Sequence, residues 1–464
     1  MSTPAEGLKG PALAGPFIWG RTVLRPRAGV RHFRMPLLLL LVPLLLLGAC
    51  RDSSRPTSLS PELARLLADP VIPVMTELPS EALPAWREAM PVPGTLVLLS
   101  VHPFLQPIEA ERAGEVAALV RTGSREQFLE RGSFYRADPA LVPTETVSAA
   151  LLGGLVKEIV WVFPTSSPVE QLSLDTFRRQ LTDAAFLTEP EVQGLTLASG
   201  VFHGTVRGVP FRAVHPGALP KIDGPFVVHL DLGYYRGLYQ GEVKTPLYDL
   251  LHQSCRTLQG AGWRPQAVTL SFSTIEGANS HDVRFLLSNL ADILRDPALL
   301  DSMPPGWAKR GEALYAANFF LDSKVREIYR QNAAEYRGDA TAQYDEYKSL
   351  FSQRQVSEAL IHLDKAVSLD PGYAAAYLEL AQIAEQDGNL AAALNLLEKA
   401  GKVFPENPFI DLYRARYLVA LGRVDEAAPL ILRLERLPWS KRLHAEIPAA
   451  IADLADAAKI NRRQ

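Results

Sequence analysis

The chain has 464 residues, which allows two to three domains of about 150 residues each. Hydrophobic residues make up 47% and charged residues 21% of the chain, so wholesale disorder and a collagen-like fibre are excluded. Residues 1–50 carry six basic side chains and one acidic one, whereas the rest of the chain has 42 basic and 50 acidic side chains, so no nucleic-acid partner is expected.

The two cysteines, Cys50 and Cys255, are too few for a disulfide framework or a Cys-rich zinc cluster. Cys255 falls in a stretch of helical periodicity, which predicts a small buried hydrophobe. No nucleophile elbow, P-loop, HExxH or GxGxxG motif occurs in the sequence. Catalytic and nucleotide-binding motifs therefore do not identify the function.

The amino-terminal region has the pattern of a secretory signal. Residues 31–50 hold a basic segment, an apolar run and small residues in that order. The run Leu37–Ala49 has 13 residues, fewer than the roughly 20 that a membrane-spanning helix needs. The first 30 or so residues precede this pattern and are interpreted as an over-extended start.

The end of this segment, Leu47-Gly48-Ala49-Cys50, resembles the bacterial lipobox. The resemblance implies that residues 1–49 are removed and that Cys50 becomes an acylated first residue. Arg51 rather than Asp follows the cysteine, so retention in the inner membrane is not indicated. The expectation is a lipid anchor in the bacterial cell envelope, at the outer membrane.

Residues 51–94 hold eight prolines in 44 positions and start with a polar run. This composition predicts that residues 50–92 form the lipidated cysteine with a Pro-rich tether and lead-in segment. Folded structure is expected to begin near Pro93.

Between residues 93 and 303, short apolar runs alternate with helical stretches, which predicts an α/β domain with a mainly parallel sheet. The predicted strands are Thr95–Val101, Glu158–Phe163, Phe226–Leu232 and Ala267–Ser273. The predicted helices are Glu109–Val120, Thr146–Leu155, Leu174–Ala185, Pro246–Gly260 and His281–Leu294. Residues 196–206 and 209–214, separated by Arg207-Gly208, predict a hairpin.

Several segments of this domain resemble the arginase-like (ureohydrolase) fold, in which carboxylates and imidazoles at strand ends hold two divalent metal ions that activate water. The resemblance places His102 and Asp231 at ligand positions, but the carboxylates expected at positions 100, 104 and 233 are missing. His229 is expected to point to the opposite face of its strand. Because two ligands cannot form an ordinary two-metal centre, the domain is interpreted as a scaffold with an eroded site and no predicted cofactor.

Other candidate residues have two interpretations each. Glu276 and His281 follow the last predicted strand, where open α/β sheets bind ligands, but Ser280 or Asn279 could instead cap the next helix. His102 is either a ligand or a hydrogen-bonded histidine at a strand end. Asp231 lies in an apolar strand and needs a partner, so it is either structural or part of a site.

After residue 304 the pattern is purely helical, and residues 304–339 predict connecting helices. A repeat with a period of 34 residues follows: Ala359, Ala393 and Ala427 share this spacing, as do Gly388 and Gly422. Three units are predicted, at 340–373, 374–407 and 408–441, followed by a capping helix and tail at 442–464.

The middle unit carries the pattern most completely, through Tyr377, Ala381, Gly388, Ala393, Ala400 and Pro405. It resembles the tetratricopeptide repeat (TPR), whose units are two antiparallel helices. In the first unit, Arg354 replaces the turn glycine.

In the TPR family, stacked helix pairs form a concave surface that binds peptides or protein segments. The polar positions are mixed in charge and predict neither an acidic nor a basic ligand; they are Asp345, Lys348, Glu379, Gln382, Asn395, Lys399, Asp411 and Arg414. The alternative is that these helices only pack against the α/β domain or form a dimer.

Together, the patterns predict an envelope lipoprotein that is attached to the membrane through Cys50 and binds a protein or peptide partner through its TPR module, as a scaffold rather than an enzyme. Two other function classes stay open. One is a metal-dependent hydrolase of C–N bonds that uses His102, Asp231 and His281. The other is a lipoprotein whose α/β pocket binds a small ligand.

Overall fold

The computed structural model describes residues 63–459, except 166, 239–244 and 273–282. Cys50, Glu276 and His281 lie outside the described residues, and so do the predictions made for them. Within the described ranges, no helix combines the length and the apolar character that crossing a membrane requires.

The described chain begins with strand β1 (Val74–Thr76) and helix α1 (Leu83–Ala89). Both belong to the α/β domain, because β1 pairs with a central strand and Trp86 of α1 is fully buried. Folded structure therefore begins before Pro93, which corrects the predicted start. Prolines are compatible with this folded segment: Pro84 lies in the first turn of α1, where a missing backbone N–H leaves no hydrogen bond unmade.

In the described part of the chain, one sheet of eight strands organises the α/β domain. After β1, its strands are β2 (Gly94–Leu99), β3 (Val156–Val162), β4 (Thr196–Ala198), β5 (Val201–Val206), β6 (Val209–Val214), β7 (Phe226–Asp231) and β8 (Ala267–Ser271). Their order in the sheet is β1-β8-β7-β2-β3-β6-β5-β4. The four apolar runs predicted as strands are β2, β3, β7 and β8.

The sheet is mixed, and arginase-like topology is not confirmed. Strands β1, β8, β7, β2, β3 and β6 are parallel, whereas β5 pairs antiparallel with both β6 and β4. The two-residue turn Arg207-Gly208 imposes this direction, because parallel strands need a long crossover connection. Both turn residues have positive φ, 46° and 82°, as the favoured hairpin turns require.

Helices cover both faces of the sheet. They are α2 (Ala110–Thr122), α3 (Arg125–Arg131), α4 (Thr146–Leu152), α5 (Leu174–Asp183), α6 (Glu189–Gln193), α7 (Gly233–Leu238), α8 (Leu247–Gly260) and α9 (Arg284–Arg295). Alternate residues of β2 point into two separate cores: Leu96 and Leu98 pack with α1–α6, and Val97 and Leu99 pack with α7–α9. Burial on both faces explains why the strands read as continuous apolar runs.

From residue 305 the described chain forms four helical hairpins and a closing helix. They are α10 (Pro305–Ala317), α11 (Asp322–Glu335), α12 (Ala340–Ser352), α13 (Val356–Leu369), α14 (Ala375–Gln386), α15 (Leu390–Val403), α16 (Pro408–Ala420), α17 (Val424–Glu435) and α18 (Ile447–Ala457). The second helices begin at residues 322, 356, 390 and 424, a spacing of 34. Residues 304–339, predicted as connecting helices, therefore form a first hairpin in the register of the repeats.

The turns inside the hairpins show the same period. Phe320, Arg354, Gly388 and Gly422 are left-handed, with φ of 57°, 62°, 74° and 73°. Each lies two residues before the second helix of its hairpin. The backbone thus repeats over four units even where the side chain at this position differs.

The turns between successive hairpins lie against the α/β domain. Asp370 follows α13 and accepts hydrogen bonds from Arg284. Glu406 follows α15 and pairs with Arg136 at 2.7 Å. After α17, the Ser440 amide donates to the Ala137 carbonyl at 2.8 Å. The array is therefore attached to the α/β domain along one edge, at three successive turns.

Candidate functional site

A buried chain of polar groups crosses β7 and β8 near their carboxyl ends. Trp86 Nε1 donates to Thr269 Oγ1 at 3.0 Å, and Thr269 Oγ1 lies 2.8 Å from His229 Nδ1. His229 Nε2 lies 3.2 Å from Ser271 Oγ, which donates to Asp231 Oδ2 at 2.6 Å. All five side chains are buried.

This geometry corrects the prediction for His229. Ser271 contacts both His229 and Asp231, so the two residues point to the same face of β7. They are two positions apart, and strand side chains alternate with a period of two, so the same face is what the alternation requires.

Burial lowers the pKa of His229 to about 3, so its imidazole is neutral. A neutral ring has one N–H, and the contacts assign it to Nε2, which donates to Ser271 Oγ, while Nδ1 accepts from the Thr269 hydroxyl. The donors then run in one direction and end on the carboxylate of Asp231, whose Oδ1 accepts from the Gly233 amide at 2.9 Å. A serine placed between His and Asp is not the order of a nucleophilic triad, in which the histidine is in the middle.

His102 lies after β2 with a half-buried side chain, and its ring centroid is 5.1 Å from that of Phe186. Its carbonyl accepts a hydrogen bond from Ser100 Oγ. Among the described residues, no group of three or more His, Cys, Asp and Glu side chains is arranged to hold a metal ion. The ligand pattern that the arginase-like resemblance implies thus has no counterpart in this part of the chain.

Cys255 lies in α8 and is completely buried, as predicted. Its Sγ is 4.0 Å from the Tyr235 hydroxyl, and burial raises the pKa of the thiol to about 12. At neutral pH the group is a protonated thiol and a poor nucleophile.

In the repeat array, the positions that carry the TPR pattern lie between helices or at turns. Tyr377, Ala381, Ala393 and Ala400 are buried, whereas Gly388 and Pro405 are exposed in turns. Tyr377 also donates to Asp364 at 2.6 Å, and the ammonium of Lys399 lies 2.7 Å from the same carboxylate. Small residues allow α14 and α15 to approach, and the tyrosine ties this hairpin to the preceding one.

The first helices of three hairpins present one polar position each at a spacing of 34 residues: Lys348, Gln382 and Arg416. We call these three residues the polar ladder. Lys348 is exposed, and Gln382 and Arg416 are half-buried. Arg416 pairs with Glu385, and its guanidinium lies 4.8 Å from the ring centroid of Tyr413.

The sequence pattern selected some of these positions and missed others. Asp345 and Asp411, predicted as polar surface, are buried and paired with Arg310 and Arg414 at 2.8 Å and 3.0 Å. Arg416 was missed, although it follows from adding the repeat period to Gln382. The period identifies equivalent positions, whereas residue type alone does not separate exposed charges from buried ion pairs.

The junction between the α/β domain and the array is centred on Arg284. Its guanidinium lies 2.8 Å from Glu77, at the end of β1, and 2.7 Å from Asp370, between two hairpins. Burial alone would lower the pKa of Arg284, but the two carboxylates raise it above its usual value. Arg284 thus joins three segments, and loss of either carboxylate would leave a buried charge poorly compensated.

Comparisons with known proteins find a match within the repeat array. Residues 350–408 match the tetratricopeptide repeat family. A thermophilic TPR protein of Thermus thermophilus, whose crystal structure is known, shares 20% identity with this chain, with a TM-score of 0.22; the match covers 37% of this chain and 95% of that one. No curated protein matches this chain.

Proposed function

We infer that this protein binds other proteins, because it contains tetratricopeptide repeats within an array of helical hairpins and such repeats generally bind protein partners. We propose that this protein is a scaffold of the bacterial envelope that is anchored by a lipid on Cys50 and binds a protein segment through the polar ladder. The repeat match over residues 350–408 is the observation that carries the proposal.

The polar ladder is suited to an extended polypeptide. Lys348, Gln382 and Arg416 occupy the same position in successive units, so their side chains recur at one step per hairpin. They offer hydrogen-bond donors of both charged and neutral types. Backbone carbonyls and acidic side chains of a bound segment would accept from them.

The α/β domain would act as a platform for this surface. Three successive inter-hairpin turns are attached to it, through Arg284, Arg136 and Ala137. Attachment along one edge holds the hairpins in a fixed order and leaves the intra-hairpin turns on the exposed side. A pre-organised array binds with a smaller loss of conformational entropy than a flexible one.

The anchor is supported by the basic, apolar and small-residue segments that end at Cys50. Each buried methylene of an acyl chain contributes about 0.8 kcal/mol to membrane binding, and two or more chains give stable attachment.

Photocrosslinking in living cells tests the partner surface. A photoreactive residue in place of Gln382 should give a discrete adduct with a polypeptide, and Lys348→Ala with Arg416→Ala should abolish it. Asn395, on the second helix of the same hairpin, is exposed and provides the matched control position. Equal adducts at the two positions would overturn the proposed surface.

Metabolic labelling with an alkyne fatty acid tests the anchor. The protein should take up label, Cys50→Ser should lose it and leave the membrane fraction, and Cys255→Ser should keep it. If Cys50→Ser retains the label, the lipid is attached elsewhere and the anchor proposal fails.

A further inference from the structure

The turn of the first hairpin exposes a cluster of large apolar side chains. Phe320 is 88% exposed, Phe319 55%, Leu321 48% and Tyr315 36%. Tyr315 and Phe319 form an edge-to-face pair with ring centroids 5.0 Å apart. We call these four residues the aromatic turn.

The backbone of Phe320 has a conformation that is unfavourable for a bulky residue. Its φ of 57° is left-handed, at the position that Gly388 and Gly422 occupy in later hairpins. A bulky residue in this region costs about 1–2 kcal/mol relative to a right-handed conformation, whereas glycine adopts it freely. A strained residue that also exposes an aromatic ring indicates a role outside the packing of the array.

The charges beside the aromatic turn balance one another. Lys324 pairs with Glu312 at 2.8 Å, at the start of α11 and within α10. Asp322 and Arg326 follow the turn with opposite charges. Such a surface selects an apolar occupant and gives no preference for a strongly charged one.

A second copy of the chain is a poor occupant of this surface. At about 200 Å² for each of these large side chains, three aromatic and one leucine, the four residues expose roughly 450 Å². A stable protein interface buries about 800 Å² on each partner. A membrane interface has no such requirement, because apolar side chains on a protruding turn enter it individually and aromatic rings favour that depth.

The position of the turn relative to the start of the described chain fits a membrane occupant. Leu63 contacts Arg264 beside the end of α8, and Tyr248 at the other end of α8 packs against Trp307 of α10. A path from Leu63 to the aromatic turn runs about 17 Å along α8 and about 18 Å along α10. With the side-chain contacts added, the straight-line distance from Leu63 to the aromatic turn is below roughly 55 Å. The 13 residues from Cys50 to Leu63 can extend by at most about 44 Å, so the lipid and the turn can meet one surface in orientations that place Leu63 within that distance of the bilayer.

We infer that the aromatic turn inserts into the interfacial layer of the membrane that holds the chain. This inference rests on the proposed lipid anchor for its location, but the insertion itself needs only an accessible bilayer. Two contacts, one lipid and one aromatic, would fix the orientation of the array relative to the membrane.

The test uses the full chain, purified in its membrane-bound form and reconstituted into phosphatidylcholine vesicles. The variant Phe320→Cys is labelled with an environment-sensitive fluorophore. The label is selective for position 320, because Cys255 is buried and the proposed acylation blocks Cys50. The matched control is Arg354→Cys, the equivalent turn position of the next hairpin and also left-handed. Brominated lipid should quench the probe at position 320 at least about threefold more than the probe at position 354.

Equal quenching at the two positions would overturn the inference. A blue shift at position 320 that needs no lipid and grows with protein concentration would overturn it as well, in favour of self-association. Two fluorophores per chain would show an unacylated Cys50 and thus defeat the anchor proposal, while vesicles added to the same protein would still decide the insertion at position 320.

Discussion

Single positions in this chain are read correctly only when the backbone conformation and the neighbours are known. Arg354 shows the first case: its φ of 62° matches the glycines one and two periods later, so the repeat retained its turn and changed only the residue. His229 shows the second case, because its role follows from Thr269 and Ser271 on the neighbouring strand.

Arg354→Gly should stabilise the protein. The left-handed region costs an arginine about 1–2 kcal/mol, and the greater freedom of glycine in the unfolded chain cancels part of the gain. We expect the free energy of unfolding to rise by about 0.5–1 kcal/mol in urea titrations. Gly388→Ala, the inverse change at the equivalent position, should lower it by a similar amount; an unchanged or lower stability for Arg354→Gly would contradict the strain argument.

His229 should make the protein less stable in acid. Its folded pKa of about 3 lies below the unfolded value of 6.5, so below pH 6.5 the unfolded chain binds a proton that the native chain refuses. Stability then falls by up to about 1.4 kcal/mol per pH unit as the pH drops from 6 toward 4. His229→Asn removes the titrating group and should be less stable than wild type at pH 7, with the difference shrinking in acid. A constant difference between pH 7 and pH 4 would show that His229 does not titrate in this way.

At the scale of elements, the repeated second helices of the hairpins can be compared with and without an internal proline. The second helices of the hairpins share their starting register, and α11, α13 and α15 have 14 residues each, whereas α17 has 12 and contains Pro429 in its interior. Proline there removes the amide that would bond to residue 425 and crowds its carbonyl. The equivalent position in α15 is Asn395, so the same helix occurs once with and once without the interruption.

Pro429→Ala should raise the free energy of unfolding by about 1–3 kcal/mol, because the helix regains one hydrogen bond and alanine is the best helix former. Asn395→Pro should destabilise the protein by about 3 kcal/mol or more. Both are measured by thermal and denaturant unfolding. If Pro429→Ala leaves the free energy of unfolding unchanged, the shape of α17 suits the helices that pack against it. Hydrogen exchange in the neighbouring helix α18 would then also remain unchanged.

At the scale of the whole molecule, one of the contacts between the α/β domain and the array leaves no room for a side chain. A Cβ atom built on Gly372 would overlap the guanidinium group of Arg284. The arginine reaches Glu77 and Asp370 together only because this position carries no side chain. The absence of a side chain at Gly372 therefore permits one of the contacts that join the α/β domain to the array.

Gly372→Ala should displace Arg284 and leave buried charges poorly paired. We expect a loss of about 2–4 kcal/mol and separate unfolding transitions for the two regions. Gly338→Ala is the matched control: it lies one period earlier, nothing is within 4 Å of its added Cβ, and it should change stability by less than about 0.5 kcal/mol. Differential scanning calorimetry distinguishes one transition from two. A single unshifted transition in Gly372→Ala would show that the junction is not needed for cohesion.

Local periodicity in the amino-acid sequence was sufficient to predict several elements of the fold. Apolar runs of strand length located β2, β3, β7 and β8, and the period of 34 located the TPR hairpins. The two-residue Arg207-Gly208 signal predicted the antiparallel pair of β5 and β6. Each of these patterns involves residues that are close together in the chain, so it can be interpreted without the tertiary structure.

Contacts between residues that are distant in the chain became known only from the folded structure. β1 pairs with a strand almost 200 positions later, His229 and Asp231 meet through Ser271, and Asp345 finds its charge partner in α10. Residue type gives each group a need for burial or for a partner, but not the identity of the partner, because that depends on which segments the packed cores bring together. The lipid anchor predicted at Cys50 stays a prediction.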